Sequence, residues 1–403
     1  MRDQTFGLMA KLNSSLLLFA IMMTMISPLC AQEIRIKPET GLVDQPVSIV
    51  LSGFDPSKTV TLRANMEDEF GQDWDSYAVF EVNRTGFADL SLQSPIRGAY
   101  KGIDPTGLIW SLSKDPGKKN QYVFMSKTMQ PMTIYISAEV DGKTAATKCI
   151  ERKFLSAGVN RIDINESGLV GTLFAPNAST PSPGILIIGG VDGNLREDLA
   201  GLLASHGYTT LAIAYFGREG LPDEPLNVPL EYFGRAIEWM KSNDAVDGDK
   251  IGVIGWSKGG EGALLVGSAY PDIKAVVSLA GSGVVFQAIA NDYHVIKSPW
   301  SFDGKDVPYI RFMETPLFIL QMIITEISGG PLSLNSMFTD SLKNRTAMDR
   351  AKIDLDKING PVMIISGDDD EFWPSEQLSQ IASKARKGNN YSSHDQYMVY
   401  SGN

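Results

Sequence analysis

The segment Lys250-Ile251-Gly252-Val253-Ile254-Gly255-Trp256-Ser257-Lys258-Gly259 leaves the chain few structures to choose from. Its apolar first half reads as a buried strand, and a helix pattern starts near Lys258. Ser257 falls between them, flanked by Gly255 and Gly259. A serine at such a junction occupies a sharp bend, with its Oγ projecting above the sheet, and a side chain at either glycine would collide with neighbouring backbone. The helix that follows aims its N-terminus at any negative charge developing beside that hydroxyl. Gly-x-Ser-x-Gly is common by itself; the strand before it and the helix after it make it specific. The competing reading is a structural serine in a glycine turn.

The surrounding pattern matches that placement. Gly184 to Gly190 is an apolar strand running into glycines, followed by a helix with Leu199, Leu202 and Leu203 on one face and Gly207 at its end. Strands are expected at Thr209–Tyr215, Lys250–Gly255, Lys274–Ala280, Pro361–Ser366 and Gln396–Tyr400, with a helix over Leu230–Ser242. Alternation of strands and helices implies a mostly parallel sheet covered on both faces. The earlier part reads differently. Val47–Leu51, Val60–Ala64, Tyr77–Val82 and Thr133–Val140 are strand-like, and Asp141-Gly142 signals a hairpin turn. Short strands without helix periodicity predict an antiparallel β-sandwich. The expected division is a leader over 1–31, a sandwich over 32–156 and an α/β domain over 157–403.

If Ser257 is a nucleophile, it needs two N–H donors for an oxyanion, an acid and a base. The amide of Lys258 is the first donor, and that of Val191, in Gly189-Gly190-Val191-Asp192-Gly193-Asn194, is the expected second. The alternative is that these glycines only make a tight turn. The acid is expected after the strand Pro361–Ser366, where Asp368-Asp369-Asp370-Glu371 stands. Asp370, four residues before Pro374, is preferred and Asp369 is second; a solvated acidic turn or a calcium-like cluster is the competing reading. The base does not fall into place. His206 ends a helix, His294 precedes the acid, and His394 comes before the last strand, on the order of 18 Å from the reactive edge at ~3.3 Å per residue. The expectation is that the sequence stops short of its histidine, which leaves a non-catalytic scaffold as a reading of another class.

Composition sets the limits on partners. A net charge of −11 over 403 residues argues against nucleic acid or an anionic membrane. Lys11, the apolar run Ser15–Ile26 and the small residues Cys30-Ala31 describe a secretory leader cut after Ala31, so export is expected, an uncleaved anchor being the alternative. Cys149 is then the sole cysteine of the mature chain, and three scattered histidines make no ligand cluster. No metal or cofactor is expected, and the partner is a small acyl substrate.

Longer stretches carry a resemblance. Val60–Ala64, Ser94-Pro95-Ile96-Arg97-Gly98-Ala99-Tyr100-Lys101-Gly102-Ile103-Asp104-Pro105, Gly107–Leu112, His206-Gly207-Tyr208 through Phe216, Leu230–Phe233 and Ser257-Lys258-Gly259-Gly260-Glu261 resemble the acyl-CoA thioesterase and bile acid-CoA:amino acid N-acyltransferase family. The resemblance implies a β-sandwich that helps bound the acyl pocket, then an α/β-hydrolase domain. It implies a Ser-Asp-His triad that maps onto Ser257 and Asp370, with the histidine after a stretch similar to Tyr400-Ser401-Gly402. Family members with a serine nucleophile pass the acyl group to water, and those with cysteine pass it to an amino acid. The implied activity is thioester hydrolysis, with N-acyl transfer or carboxylester hydrolysis as alternatives. Export sets this chain apart from family members that work where coenzyme A is found.

Overall fold

Inward-facing side chains alternate along Thr59–Glu67, where Val60, Leu62, Ala64 and Met66 are buried and the residues between them face outward. This period of two recurs through the first part of the chain. The computed structural model describes residues 31–56, 58–114, 128–292, 295–328, 332–386 and 394–401. Except for Ala31, the expected leader lies outside them. The chain forms two units, one of Met1–Phe124 with Pro131–Lys153 and one of Met125–Gln130 with Phe154–Asn403.

The first unit holds β1 (Glu33–Lys37), β2 (Thr40–Leu42), β3 (Ser48–Ser52), β4 (Thr59–Glu67), β5 (Asp73–Glu81), β6 (Ala88–Asp89), β7 (Arg97–Gly98), the short helix α1 (Gly107–Trp110), β8 (Met132–Val140) and β9 (Lys143–Lys153). Its sheets run β1-β3-β6 and β2-β9-β8-β4-β5-β7 and are antiparallel except for the β2–β9 pair. Ile36, Ile49 and Leu51 from the first sheet pack with Leu62, Phe80, Ile134 and Ile136 from the second in one core, which makes the unit a sandwich. The hairpin between β8 and β9 turns at Asp141 (φ 51°) and Gly142 (φ 75°), the paired positive φ that a tight two-residue turn demands.

The second unit contains β10 (Val159–Glu166), β11 (Leu169–Pro176), β12 (Ser182–Ile188), α2 (Glu197–Ser205), β13 (Thr209–Ala214), β14 (Val228–Pro229), α3 (Leu230–Lys241), β15 (Val246–Trp256), α4 (Lys258–Ala269) and β16 (Ile273–Leu279). It continues with β17 (Trp300–Phe302), β18 (Lys305–Asp306), α5 (Pro316–Ser328), α6 (Asn335–Ser341), α7 (Arg345–Ala351), β19 (Val362–Gly367), α8 (Ser375–Ala385) and β20 (Gln396–Tyr400). The main sheet runs β10-β11-β13-β12-β15-β16-β19-β20, parallel except at β10 and β11. Counted along the chain this is the order 1-2-4-3-5-6-7-8 of the α/β-hydrolase fold. Leu186, Leu211 and Val253 face α3 and α4 on one side, while Ile187, Phe174 and Ala212 face α2 on the other. The small strands β14, β17 and β18 form a separate sheet.

Two details differ from the sequence expectation. β10 and β11 form an antiparallel hairpin at the sheet edge, ahead of the first strand that the apolar runs indicate. On α2 the fully buried positions are Ala200, Gly201 and Ala204, with Leu199, Leu202 and Leu203 half-buried, because small residues let the helix lie close to the sheet.

Candidate active site

β15 reaches its carboxyl end at Trp256, and Ser257 follows with φ 56° and ψ −119°. That is a strained conformation for a residue with a Cβ. Both flanking glycines are required by close backbone approaches. A Cβ on Gly255 would run into the carbonyl of Gly259, and one on Gly259 into the carbonyls of Ile188 and Gly189. The bend is thereby wedged between β12 and the start of α4. The Ser257 amide is tied to the Leu279 carbonyl at 2.8 Å. The α4 N-terminus lies directly behind the hydroxyl.

Ser257, Lys258 and Val191 line one narrow cavity, together with Gln287, Ile289, Phe312, Phe338, Phe372 and Trp373. Gly190 comes close to the bend, its Cβ position being 3.5 Å from the Cβ of Ser257. Among the described residues neither the Val191 nor the Lys258 amide has a backbone acceptor. The two residues whose amides the sequence points to thus line the same cavity as Ser257. The remaining wall, apolar except for Gln287, comes from the β16–β19 connection and the loop after β19.

Asp370 sits in that last loop. Its Oδ1 accepts from the amides of Phe372 (3.0 Å) and Trp373 (3.3 Å), and those same two residues line the cavity. Burial pushes its carboxyl above the usual carboxylate range, against the hydrogen bonds from Ser375 and the two amides. Asn335 Nδ2 holds the Asp370 carbonyl at 3.1 Å. β19 is two strands from β15 across β16, about 10 Å at ~4.8 Å per strand. Ser257 and Asp370 therefore share the carboxyl edge of the sheet.

The histidines fall elsewhere. His206 caps the carboxyl end of α2 just before β13, at the opposite edge. The pairings Trp256↔Leu279, Leu279↔Ile365 and Ile365↔Met398 put His394 roughly 13 Å below the level of Trp256 along the strands. Its neighbour Asp395 is engaged there by the Val362 amide at 2.8 Å and by Arg386 Nε at 2.6 Å. His294 lies outside the described residues. The chain returns to the reactive edge at Tyr400, paired with Gly367 and accepting from the Asp368 amide at 3.1 Å.

Comparison with known proteins gives this site a context. The family model described as Acyl-CoA thioester hydrolase/BAAT N-terminal region matches residues 44–166, and the one described as BAAT / Acyl-CoA thioester hydrolase C terminal matches residues 228–403. The mouse peroxisomal succinyl-coenzyme A thioesterase is 30% identical, over 84% of this chain and 77% of its own. The chain belongs to this family. Another mouse member of the acyl-CoA thioester hydrolase/BAAT family, acyl-coenzyme A amino acid N-acyltransferase 2, is 31% identical over 86% of this chain and 79% of its own. An α/β hydrolase from Penicillium sp. sh18 superposes with a TM-score of 0.39 and 15% identity, covering 61% of this chain and 90% of that one. At that likeness the fold is read from the sheet order itself.

Two features of this family member lie beyond the sequence reading. The sequence points to Lys258 for its amide alone, yet its ammonium is buried and paired with Glu261 at 2.7 Å. Tyr215, buried at the end of β13, donates toward the carbonyls of Gly189 (3.1 Å) and Gly190 (3.0 Å). The first had a signal, since opposite charges at i and i+3 in a helix that carries no other charged residue are expected to be buried together. The second had none, because nothing in a sequence tells which phenol reaches which loop.

Proposed function

We propose that this chain is a serine acyl hydrolase that cleaves acyl thioesters through an acyl-Ser257 intermediate. Ser257 Oγ attacks the carbonyl carbon, and its proton passes to an imidazole oriented by Asp370. The carbonyl oxygen takes the negative charge against the amides of Val191 and Lys258. The C–S bond then breaks, the departing thiolate takes the proton, and water repeats the sequence on the acyl-serine to release a carboxylic acid. The last strand, β20, ends beside the Asp368–Asp370 loop. The observation carrying this reading is Ser257 on its strained bend, facing a cavity walled by Val191, Lys258 and the residues that hold Asp370. Membership of a family whose curated relatives include coenzyme A thioesterases supports the thioester substrate. The apolar wall supports a fatty acyl group, hence a place in fatty-acid metabolism.

Export through a leader cut after Ala31 is part of the proposal, with the sandwich over 32–156 and the hydrolase domain over 157–403. Outside the cell, carboxylesters become competing substrates. A second reading, transfer of the acyl group to an amine, is favoured by the N-acyltransferase relative. The test is labelling with a fluorophosphonate probe, followed by hydrolysis of a fatty acyl-CoA with glycine or taurine present. Labelling of Ser257, lost in Ser257→Ala, with free acid as product is the expected result. Amide product would select the second reading, and an unlabelled Ser257 would remove both.

A further inference from the structure

The Gly190–Val191 peptide is the one element of the site whose direction matters and whose own side chains cannot fix it. Gly190 has none, and Val191 has no polar atom. In a trans peptide the carbonyl and the following N–H point in opposite directions, and the single cis bond among the described residues is Lys37–Pro38. Whatever holds the Gly190 carbonyl therefore also aims the Val191 N–H.

That carbonyl accepts a long hydrogen bond from the Gly193 amide at 3.4 Å and a shorter one from Tyr215. Its Oη is 3.0 Å from the Gly190 oxygen and 3.1 Å from that of Gly189, so one hydroxyl proton serves two consecutive peptides. The ring is clamped in turn. Phe216 lies 5.0 Å away edge-on, Trp300 5.4 Å and Phe233 5.8 Å between centroids. Burial raises the phenol far above its ordinary pKa, so it remains a donor at any working pH. The tyrosine thus pulls on the peptide from the core side, while Val191 borders the cavity with Ser257 and Lys258.

We infer that Tyr215 is the positioning residue of the oxyanion site: by fixing the Gly190 carbonyl inward it turns the Val191 N–H toward the oxygen of the tetrahedral intermediate. The inference rests on the acyl-serine reading above. Tyr215 touches no reacting atom. A hydrogen bond on the carbonyl also polarises the N–H of the same peptide, which strengthens it as a donor.

The test uses Tyr215→Phe in the full chain, a change that keeps the ring and its packing and removes one oxygen. Fluorophosphonate inactivation is resolved into a binding constant, KI, and a maximal rate, kinact, with intact mass giving the final extent of labelling. The expected result is a kinact at least tenfold lower, a KI within twofold, and labelling that still reaches one probe per chain. In Val191→Pro, which lacks the N–H, the same Tyr215→Phe change should alter kinact less than twofold. A kinact equal to the parent's overturns the inference. So does incomplete final labelling, which assigns Tyr215 to stability, or an equal loss in the Val191→Pro background. If the parent itself is never labelled, the acyl-serine reading fails first and takes this inference with it.

Discussion

Lys258 Nζ lies 2.7 Å from Glu261 Oε1, with both side chains sealed in the first turn of α4, directly behind the nucleophile. The two charges share the backbone of one residue. Lys258 Nζ donates to the Phe286 carbonyl at 3.0 Å, and Glu261 Oε2 accepts from the Phe286 amide at 3.2 Å. Trp300 Nε1 completes the set at 2.8 Å from Glu261 Oε1. Phe286 precedes Gln287 in the cavity wall, so the pair ties the bend carrying Ser257 to the wall opposite it. Burial alone pushes the ammonium down and the carboxyl up in pKa; each partner's attraction acts against that.

Removing one member should therefore cost more than removing both. Glu261→Leu leaves a buried ammonium without its counter-charge, and about 3–5 kcal/mol of stability should be lost. The double variant Lys258→Met/Glu261→Leu should recover most of that loss, since it trades two desolvated charges for apolar packing. Urea unfolding of the parent, both single variants and the double variant measures the coupling. Losses that simply add would show that the pair is not acting as a unit.

The glycines of the site should split into two groups. Gly259→Ala sets a methyl against the carbonyls of Ile188 and Gly189 and should cost at least about 1–3 kcal/mol, through forced backbone movement. Gly190→Ala meets its nearest atoms at 3.5 Å, an ordinary contact, and should keep stability within about 1 kcal/mol. Thermal unfolding of both variants gives the comparison. Equal losses would contradict the close approach at Gly259.

Much of this arrangement is visible in the sequence, and the reason is local. The Gly255–Gly259 bend, the strand before it and the helix behind it lie within neighbouring residues, so periodicity and glycine spacing suffice. The same holds for β12, β13, β16, β19 and β20, whose observed bounds lie within a few residues of the expected ones. Asp370 is readable as a candidate from its distance to Pro374, but spacing does not show that the amides of Phe372 and Trp373 hold its carboxylate. The β10–β11 hairpin escapes because its outer strand, largely exposed, lacks an apolar run. Contacts between remote segments, such as Tyr215 with Gly190 or Trp300 with Glu261, follow from the assembled fold and leave no mark in local spacing.

The strain at Ser257 can be measured apart from its chemistry. Ser257→Ala and Ser257→Gly both lack the Oγ and should both be inactive. At φ 56° and ψ −119°, however, glycine escapes a penalty of about 1–3 kcal/mol that alanine still carries. Glycine's greater chain entropy costs about 0.5–1 kcal/mol in return. Ser257→Gly should therefore be more stable than Ser257→Ala by up to about 2 kcal/mol. Denaturant midpoints of the two variants decide it, and an alanine variant as stable as the glycine one would mean that the bend is relaxed.

Asp370 links stability and activity to pH in opposite senses. Burial raises its folded-state pKa, so the folded chain holds that proton more tightly than the unfolded chain does. Its contribution to stability is then fully present below the ordinary carboxylate value of ~3.9 and is lost as pH rises through the raised value. Asp370→Asn lacks this titration, so the stability gap between parent and variant should shift toward the variant across that window. Catalysis needs the ionised carboxylate to orient the imidazole. The acid limb of the kcat profile should therefore stand above the ordinary Asp range, and kcat in Asp370→Asn should fall by about 10³–10⁴-fold at neutral pH. Urea unfolding as a function of pH and a pH–rate profile on an acyl thioester give both quantities. A variant that keeps parent-like kcat would assign the acid to another residue of the Asp368–Glu371 loop.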